Sequence, residues 1–449
     1  DVWAAAGKSN PVVVIQLWAT APTGASFLGW GSKPGECDIV KMDGTHDHHG
    51  VQWPGTYYAH YFSIMEFDLD GGAFPAGVTV GSTFGTNWKD LAIPSPTRAD
   101  CWAFTGWEVI SAYSTTELIG EHVNVSPTRS VYKTVTIKAG SVGKLKLRAI
   151  WTSTFRLCYN GGALPEGVTN GSTYTSAWDD MTINNPEHPN KLGFIGWQVV
   201  SKAKDATLDG TTVPGYDPVV YSTVKVKSGS KGQFTLKAVW CSYLTIDYNG
   251  GHLSSGATQP TTYSSAWPAW TLKNPVSDSE TVAFAGWRVV SEQGTTLTKS
   301  GELYDASKKV YKTLTLESGY AGVLTIRAEW ASGFYANDDG GSLAVGERHP
   351  TSYASTFDDF TLSNPSRDGC RFLGWLVAQA PVAGRVEGAQ VGQVMIGSAN
   401  GQPIYGPIYQ TLTVKSGAYG LVKVRAVWQV GLDWLLDEEP TGASIAAAW

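Results

Sequence analysis

FIGW, residues 194–197, is the stretch on which the fold turns. Phe-x-Gly-Trp recurs as FLGW (27–30), FTGW (104–107), FAGW (284–287) and FLGW (372–375), five copies in 449 residues. Trp107, Trp197, Trp287 and Trp375 follow one another at intervals of 90, 90 and 88 residues. A second ladder runs in step: KLKLRAIW ends at Trp151, QFTLKAVW at Trp240, VLTIRAEW at Trp330 and LVKVRAVW at Trp428, with intervals of 89, 90 and 98. The long last interval holds a Gly-rich insertion, residues 386–403, expected to be a surface loop.

Two further ladders fall between these. FDLDGG (67–72), LCYNGG (157–162), IDYNGG (246–251) and ANDDGG (336–341) run alternating apolar residues into an Asn/Asp-Gly-Gly stop. That is how a strand ends in a turn requiring positive φ. SAWDDMTINNP (176–186), SAWPAWTLKNP (265–275) and STFDDFTLSNP (355–365) each place an aromatic seven residues before the Asn of an Asn-Pro.

Each unit therefore reads as strand, turn, short ordered segment, strand, variable excursion, strand, turn, strand, with little helical period. The aromatics of FxGW plug a small core while Gly permits a bulge or a close backbone approach. The closing A-x-W meets them from the other side, Ala fitting where a larger side chain would collide. Trp30, Trp107, Trp197, Trp287 and Trp375, with Trp151, Trp240, Trp330 and Trp428, are expected as structural anchors, because Trp is more often buried than exposed. The alternative is a set of exposed Trp platforms for a ligand.

The series YNGG, NP, F-x-GW and A-x-W resembles the Listeria–Bacteroides repeat, the family that includes the B repeats of internalins. The four motifs repeat in phase over nearly the whole chain. The resemblance implies β-grasp-like modules strung in tandem on secreted or surface-anchored proteins, serving as stalk, spacer or adhesive segment. It carries over no catalytic residues. The units here, near ninety residues, are longer than the family's, which makes the excursion after FxGW the place for anything specific.

A composition of 42% hydrophobic and 16% charged residues is that of a globular chain. A net charge of −6 with scattered basic residues argues against nucleic acid as a partner. No apolar run approaches the ~20 residues of a membrane span. No GxSxG, HExxH, P-loop or GxGxxG motif is present. The carboxylate pairs Asp179/Asp180 and Asp358/Asp359 read as strand neighbours facing opposite ways. No enzymatic activity and no cofactor are expected. The five cysteines have no CxxC spacing, and either a Cys158–Cys241 disulfide or small buried hydrophobes suits them.

One cluster stands apart. GTHDHHG holds His46, His48 and His49 beside Asp47. Imidazoles at i and i+2 on an extended segment share a face and could ligate a divalent transition metal. A solvated polar loop between two glycines is the other reading.

The ladders divide the chain into an incomplete repeat lacking its opening strand (1–63), repeats at 64–152, 153–241 and 242–331, a repeat with the inserted loop (332–429) and a further opening strand (430–449). Trp3 precedes Asn10-Pro11 by the spacing seen inside the other units. The expectation is four whole units and a fifth split between the ends, in a mainly β, elongated row of about five repeats joined by linkers of two or three residues. The chain could be a piece of a longer array, a closed ring, or a subunit whose last strand completes the first unit of the next copy. In the fibre reading Leu432, Trp434 and Leu436, on one face of GLDWLLD, fill the gap beside Val12, Val14 and Trp18. The reading for function is an extracellular, cell-surface structural protein, a stalk or filament subunit whose partners are copies of itself. The alternative is an adhesin for a host or cell-surface glycan or protein.

Overall fold

Along residues 144–158, KLKLRAIWTSTFRLC, buried and more accessible residues alternate as a strand with one face on a core requires. In the computed structural model, which describes residues 19–33, 39–40, 56–85, 89–98, 103–112, 116–125, 128–296 and 299–430, the chain is mainly β, and no helix occurs among the described residues. Twelve strands carry the recurring motifs, the junctions between segments and the insertion. They are β1 (Ala25–Gly31), β2 (Tyr58–Asp68), β3 (Ala103–Ala112), β4 (Lys144–Cys158), β5 (Gly193–Lys202) and β6 (Phe234–Asp247). Then come β7 (Val282–Thr296), β8 (Ala321–Asn337), β9 (Cys370–Gln379), β10 (Gln390–Ala399), β11 (Gln402–Tyr409) and β12 (Val422–Val430).

Two compact units are drawn from Asp1–Pro186 with Ile195–Ala238, and from Glu187–Phe194 with Val239–Trp449. In the first, β2 runs parallel to β4 with Ile64 opposite Lys144, and the far half of β4 runs parallel to β6 with Phe155 opposite Phe234. In the second, β6 pairs with β8 (Tyr243 opposite Val323) and β8 with β12 (Phe334 opposite Val422), both parallel. The partners lie 80, 79, 80 and 88 residues apart.

The 152/153 and 331/332 boundaries fall inside β4 and β8, and 63/64 and 241/242 inside β2 and β6. The short linkers expected from the sequence are thus continuous strands. A buried serine sits at each junction and accepts a hydrogen bond from a distant backbone N–H. Ser63 Oγ takes Gly143 (2.8 Å), Ser153 Oγ takes Gly232 (2.9 Å), Ser242 Oγ takes Gly322 (3.0 Å) and Ser332 Oγ takes Gly420 (2.7 Å). With its polar group satisfied, the junction can stay inside the sheet, where an unpaired hydroxyl or N–H would be costly.

Three other expectations change. The insertion is not a loop but mostly the hairpin β10–β11, with Ala399 paired to Gln402 across Asn400-Gly401. Asp179, Asp180, Asp358 and Asp359 lie outside strands, in the irregular residues just before short ones. Cys158, Cys241 and Cys370 are free thiols, Cys158 exposed and the other two half-buried.

Candidate functional site

The recurring motifs meet in one interlock. FxGW and A-x-W are cross-strand partners: Phe284 faces Trp330 and Trp287 faces Ala328, Phe372 faces Trp428 and Trp375 faces Ala426, and Phe104 faces Trp151 while Trp107 faces Ala149. Phe-to-Trp spans three residues and Ala-to-Trp only two, so the register must shift, and each pair carries a bulge there. Trp107, Trp151, Trp197, Trp240, Trp287 and Trp375 have no exposed surface, Trp330 is 1% exposed, and Trp30 and Trp428 are buried.

Several of the remaining motif residues serve these indoles. The second Gly of the Asn/Asp-Gly-Gly turn lies under the closing Trp, where a Cβ at Gly72, Gly251 or Gly341 would meet Trp151, Trp330 or Trp428 Cζ2 at 2.4, 2.3 and 2.4 Å. The turn carbonyl receives the indole proton: Trp330 Nε1 donates to Asn249 O (2.9 Å) and Trp428 Nε1 to Asp338 O (3.1 Å). Asn249 sits at φ 49°, which Asn tolerates better than most residues. In two segments the Asn of Asn-Pro serves the other indole, whereas Trp287 Nε1 has no partner although Asn274 is in place, its amide donating to Lys312 O (3.4 Å). Trp197 donates to Asn185 Oδ1 and Trp375 to Asn364 Oδ1, both at 3.1 Å, while the amides donate to Ser222 O and Gln410 O. Residue 95 is Ser in the corresponding place, and Trp107 Nε1 has no partner.

His46, His48, His49 and Asp47, and the assembly residues Val12, Val14, Trp18, Leu432, Trp434 and Leu436, lie outside the described residues. Among the described residues no three His, Cys, Asp or Glu gather as a metal site would require.

Surface charge repeats with one exception. Lys138 pairs with Asp90 (3.0 Å), Lys227 with Asp180 (2.5 Å) and Lys415 with Asp359, and the other carboxylate oxygen accepts from Ala139, Ser228 or Ser416 N–H. The Lys227 and Lys415 ammonium groups, then the backbone N–H, hold Asp180 and Asp359 below the usual carboxylate range; at Asp90 the backbone N–H contributes most. Each pair lies one step beyond a strand pairing, Met181–Val226, Phe360–Val414 or Leu91–Ile137. One step beyond the matching pairing of Trp270 with Leu316, the residues are Ala269 and Glu317.

Beside Ala269 a cleft of about 210 Å³ opens, lined by Pro260, Tyr263, Trp267, Pro268, Ala269 and Trp270. Trp267 is 38% exposed and stands edge-on to Tyr263 (centroids 5.6 Å, 87°). A change in the core shapes this loop. Tyr174 donates its hydroxyl to Gly232 O, and Tyr353 donates to Gly420 O. Tyr263 instead donates to Pro268 O (2.5 Å) and Trp267 O (3.3 Å). Tyr320, 1% exposed, stands in the core where Ser230 and Ala418 stand in the neighbouring segments, 6.1 Å from the Tyr263 ring. The Tyr263 hydroxyl thus ties down the Trp267–Pro268 backbone.

A wider groove of about 690 Å³ is lined in part by Lys308, Arg348, His349, Phe357 and Asp358. Its charges are mostly spent internally: Lys308 holds Asp358 (2.8 Å) and Thr356 O, and His349 Nε2 lies 2.8 Å from Asp338 Oδ1.

Sequence reading singled out the anchors but missed the junction serines, the Asp–Lys pairs and the cleft. A signal for the serines was present, since Tyr61, Trp151, Trp240 and Trp330 are each followed two residues later by Ser. Neither a protein-family model nor a curated protein matches the chain.

Proposed function

We propose that this is a non-enzymatic structural protein of the extracellular cell surface, a stalk or filament subunit made of β-grasp-like modules in an elongated row. The observation that supports it is the strand relay: β4 closes one segment and opens the next, as β8 does, with no hinge at the junction. Within a segment the first and last strands run parallel side by side, which is the central pair of a β-grasp module. Tension applied to the outer ends of such a pair pulls the strands in opposite directions along their length. All the hydrogen bonds between them then resist together. The resemblance of the four motifs to the Listeria–Bacteroides repeat leads to the same reading. Head-to-tail assembly, with Leu432, Trp434 and Leu436 of one copy meeting Val12, Val14 and Trp18 of the next, is part of the proposal.

Two measurements test it. Stretching the full chain by its ends should give successive unfolding events, each releasing roughly 30 nm, the length of about ninety extended residues at ~3.3–3.6 Å each. Unfolding at negligible force, or one event releasing the whole length, would refute a mechanical stalk. Electron microscopy should show filaments for the full chain and none after deletion of residues 431–449. Filaments from the truncated chain would refute strand complementation alone.

A further inference from the structure

We infer that the cleft at Trp267, Pro268, Ala269 and Trp270 is a carbohydrate-binding subsite that takes one uncharged sugar ring at a time. The inference goes beyond the structural reading and does not depend on it. Three observations converge.

The first is shape. Trp267 keeps 38% of its surface exposed while the FxGW and A-x-W tryptophans are buried, and it forms one wall of a cleft whose other lining residues are two prolines, a tyrosine, an alanine and a second tryptophan. About 210 Å³ is below the ~300–1,000 Å³ of a drug-sized pocket, so the cleft suits a single ring resting on an indole face. The apolar C–H face of a pyranose stacks on such a surface, and the indole quadrupole favours it.

The second is charge. The other segments place an Asp–Lys pair here, and this one has lost both members together, Asp becoming Ala269 and Lys becoming Glu317. Pro268 likewise stands where Asp179 and Asp358 stand. A loop whose neighbours carry two or three charged groups therefore lines its cleft with none.

The third is hydrogen-bond polarity. The Tyr263 hydroxyl is spent on Trp267 O and Pro268 O, so it cannot donate to a ligand. One step beyond the Trp270–Leu316 pairing from Ala269, and outside the cleft lining, stands Glu317, whose carboxylate is an acceptor that already takes the Ser300 hydroxyl. It lies close enough to Tyr263 to add to the upward shift that burial imposes on that phenol. A proline-rich peptide, the other usual guest of an aromatic groove, offers carbonyl acceptors and few donors. A sugar offers hydroxyl donors, which match a carboxylate.

The test is titration of the full chain, by calorimetry, with cellohexaose, chitohexaose, xylohexaose, mannohexaose and maltohexaose, and with decaproline. At least one oligosaccharide should bind saturably. Trp267→Ala, at an exposed position, should weaken that binding at least tenfold with an unchanged circular dichroism spectrum. Glu317→Lys, which restores the residue type of the other segments, should also weaken it, by several-fold. Phe357→Ala, at the corresponding exposed aromatic of the 332–429 segment, should leave it unaltered. Absence of binding by all five sugars overturns the inference, as does sugar binding that survives Trp267→Ala. Decaproline binding that Trp267→Ala abolishes, without sugar binding, would make the cleft a peptide groove.

Discussion

The Asn of the Asn-Pro motif offers the sharpest quantitative test of the interlock, because one segment lacks it. Trp197 is fully buried and its indole N–H donates to Asn185 Oδ1 at 3.1 Å. The Asn185 amide in turn donates to Ser222 O at 3.1 Å. Asn185→Ala removes both bonds and takes the Asn185 acceptor away from a buried indole donor. The lost acceptor should cost about 1–3 kcal/mol and the second bond about 0.5–1.5 kcal/mol, so the segment should lose about 2–4 kcal/mol. Asn364→Ala should behave the same way at Trp375. The reverse experiment is available at Trp107, which is equally buried and has no partner for Nε1. Ser95→Asn should supply one and gain about 1 kcal/mol, the relief of the orphan less the entropy of fixing an exposed side chain.

Native-state hydrogen exchange resolved by residue is the suitable assay, because a chain with several cores has no single unfolding free energy. Amides of the strand carrying Trp197 should exchange about 30- to 1,000-fold faster in Asn185→Ala, at ~1.4 kcal/mol per factor of ten. Amides of β3 and β4 near Trp107 should slow about fivefold in Ser95→Asn. Exchange in Asn185→Ala within twofold of the parent would refute the claim that this asparagine satisfies a buried donor. An unchanged β3 in Ser95→Asn would refute the claim that Trp107 is under-satisfied.

The remaining predictions touch other parts of the interlock and surface. Gly251→Ala should destabilise its segment by about 1–3 kcal/mol, since the new methyl meets Trp330 Cζ2 at 2.3 Å and Val276 O at 2.8 Å; exchange at β8 reads the effect. The Asp359 carboxyl titrates below its ordinary 3.8 because of Lys415 and the Ser416 N–H, so its contribution is present above 3.8 and lost as pH falls through the lowered folded value. Protection near residues 414–416 should therefore drop as the pH falls below 3.8, and Asp359→Asn should flatten that drop. Zinc or nickel at micromolar concentration should raise the melting temperature of the full chain through His46, His48, His49 and Asp47, and a His46→Ala, His48→Ala double variant should abolish the rise.

What the sequence disclosed depended on whether the cause was local. The glycine of FxGW was legible as permitting a bulge or a close backbone approach, whereas the need for the bulge, a three-residue aromatic step facing a two-residue A-x-W step, shows only in the strand pairing. The opposition of Ala328 to Trp287 was legible as a small residue conceding space. The strand relay was not, because the Trp-Thr-Ser-Thr stretch at 151–154 looks like a polar linker. Only Gly232, 79 residues beyond Ser153, reveals why that serine can be buried in a sheet. The hairpin β10–β11 was missed for another reason: its glycines suggested a loop, although Asn400-Gly401, with φ 52° and 75°, is the dipeptide that closes a two-residue hairpin turn.

The cleft illustrates a third case, in which the information was in the sequence but only as a difference between segments. Taken alone, Ala269 is an unremarked alanine and Glu317 an ordinary surface acid. Aligned by the ladders, they replace Asp and Lys at two positions 48 residues apart, where Asp90 and Lys138 have the same separation and Asp180 and Lys227 are 47 apart. Losing one partner alone would leave the other unpaired at a strand end. Losing both in one segment, beside Pro268 and Trp270 and above a core where Tyr320 replaces a serine or an alanine, couples five substitutions to one loop. The motifs held in common account for the fold, so a specific activity has to be sought in coordinated departures from them.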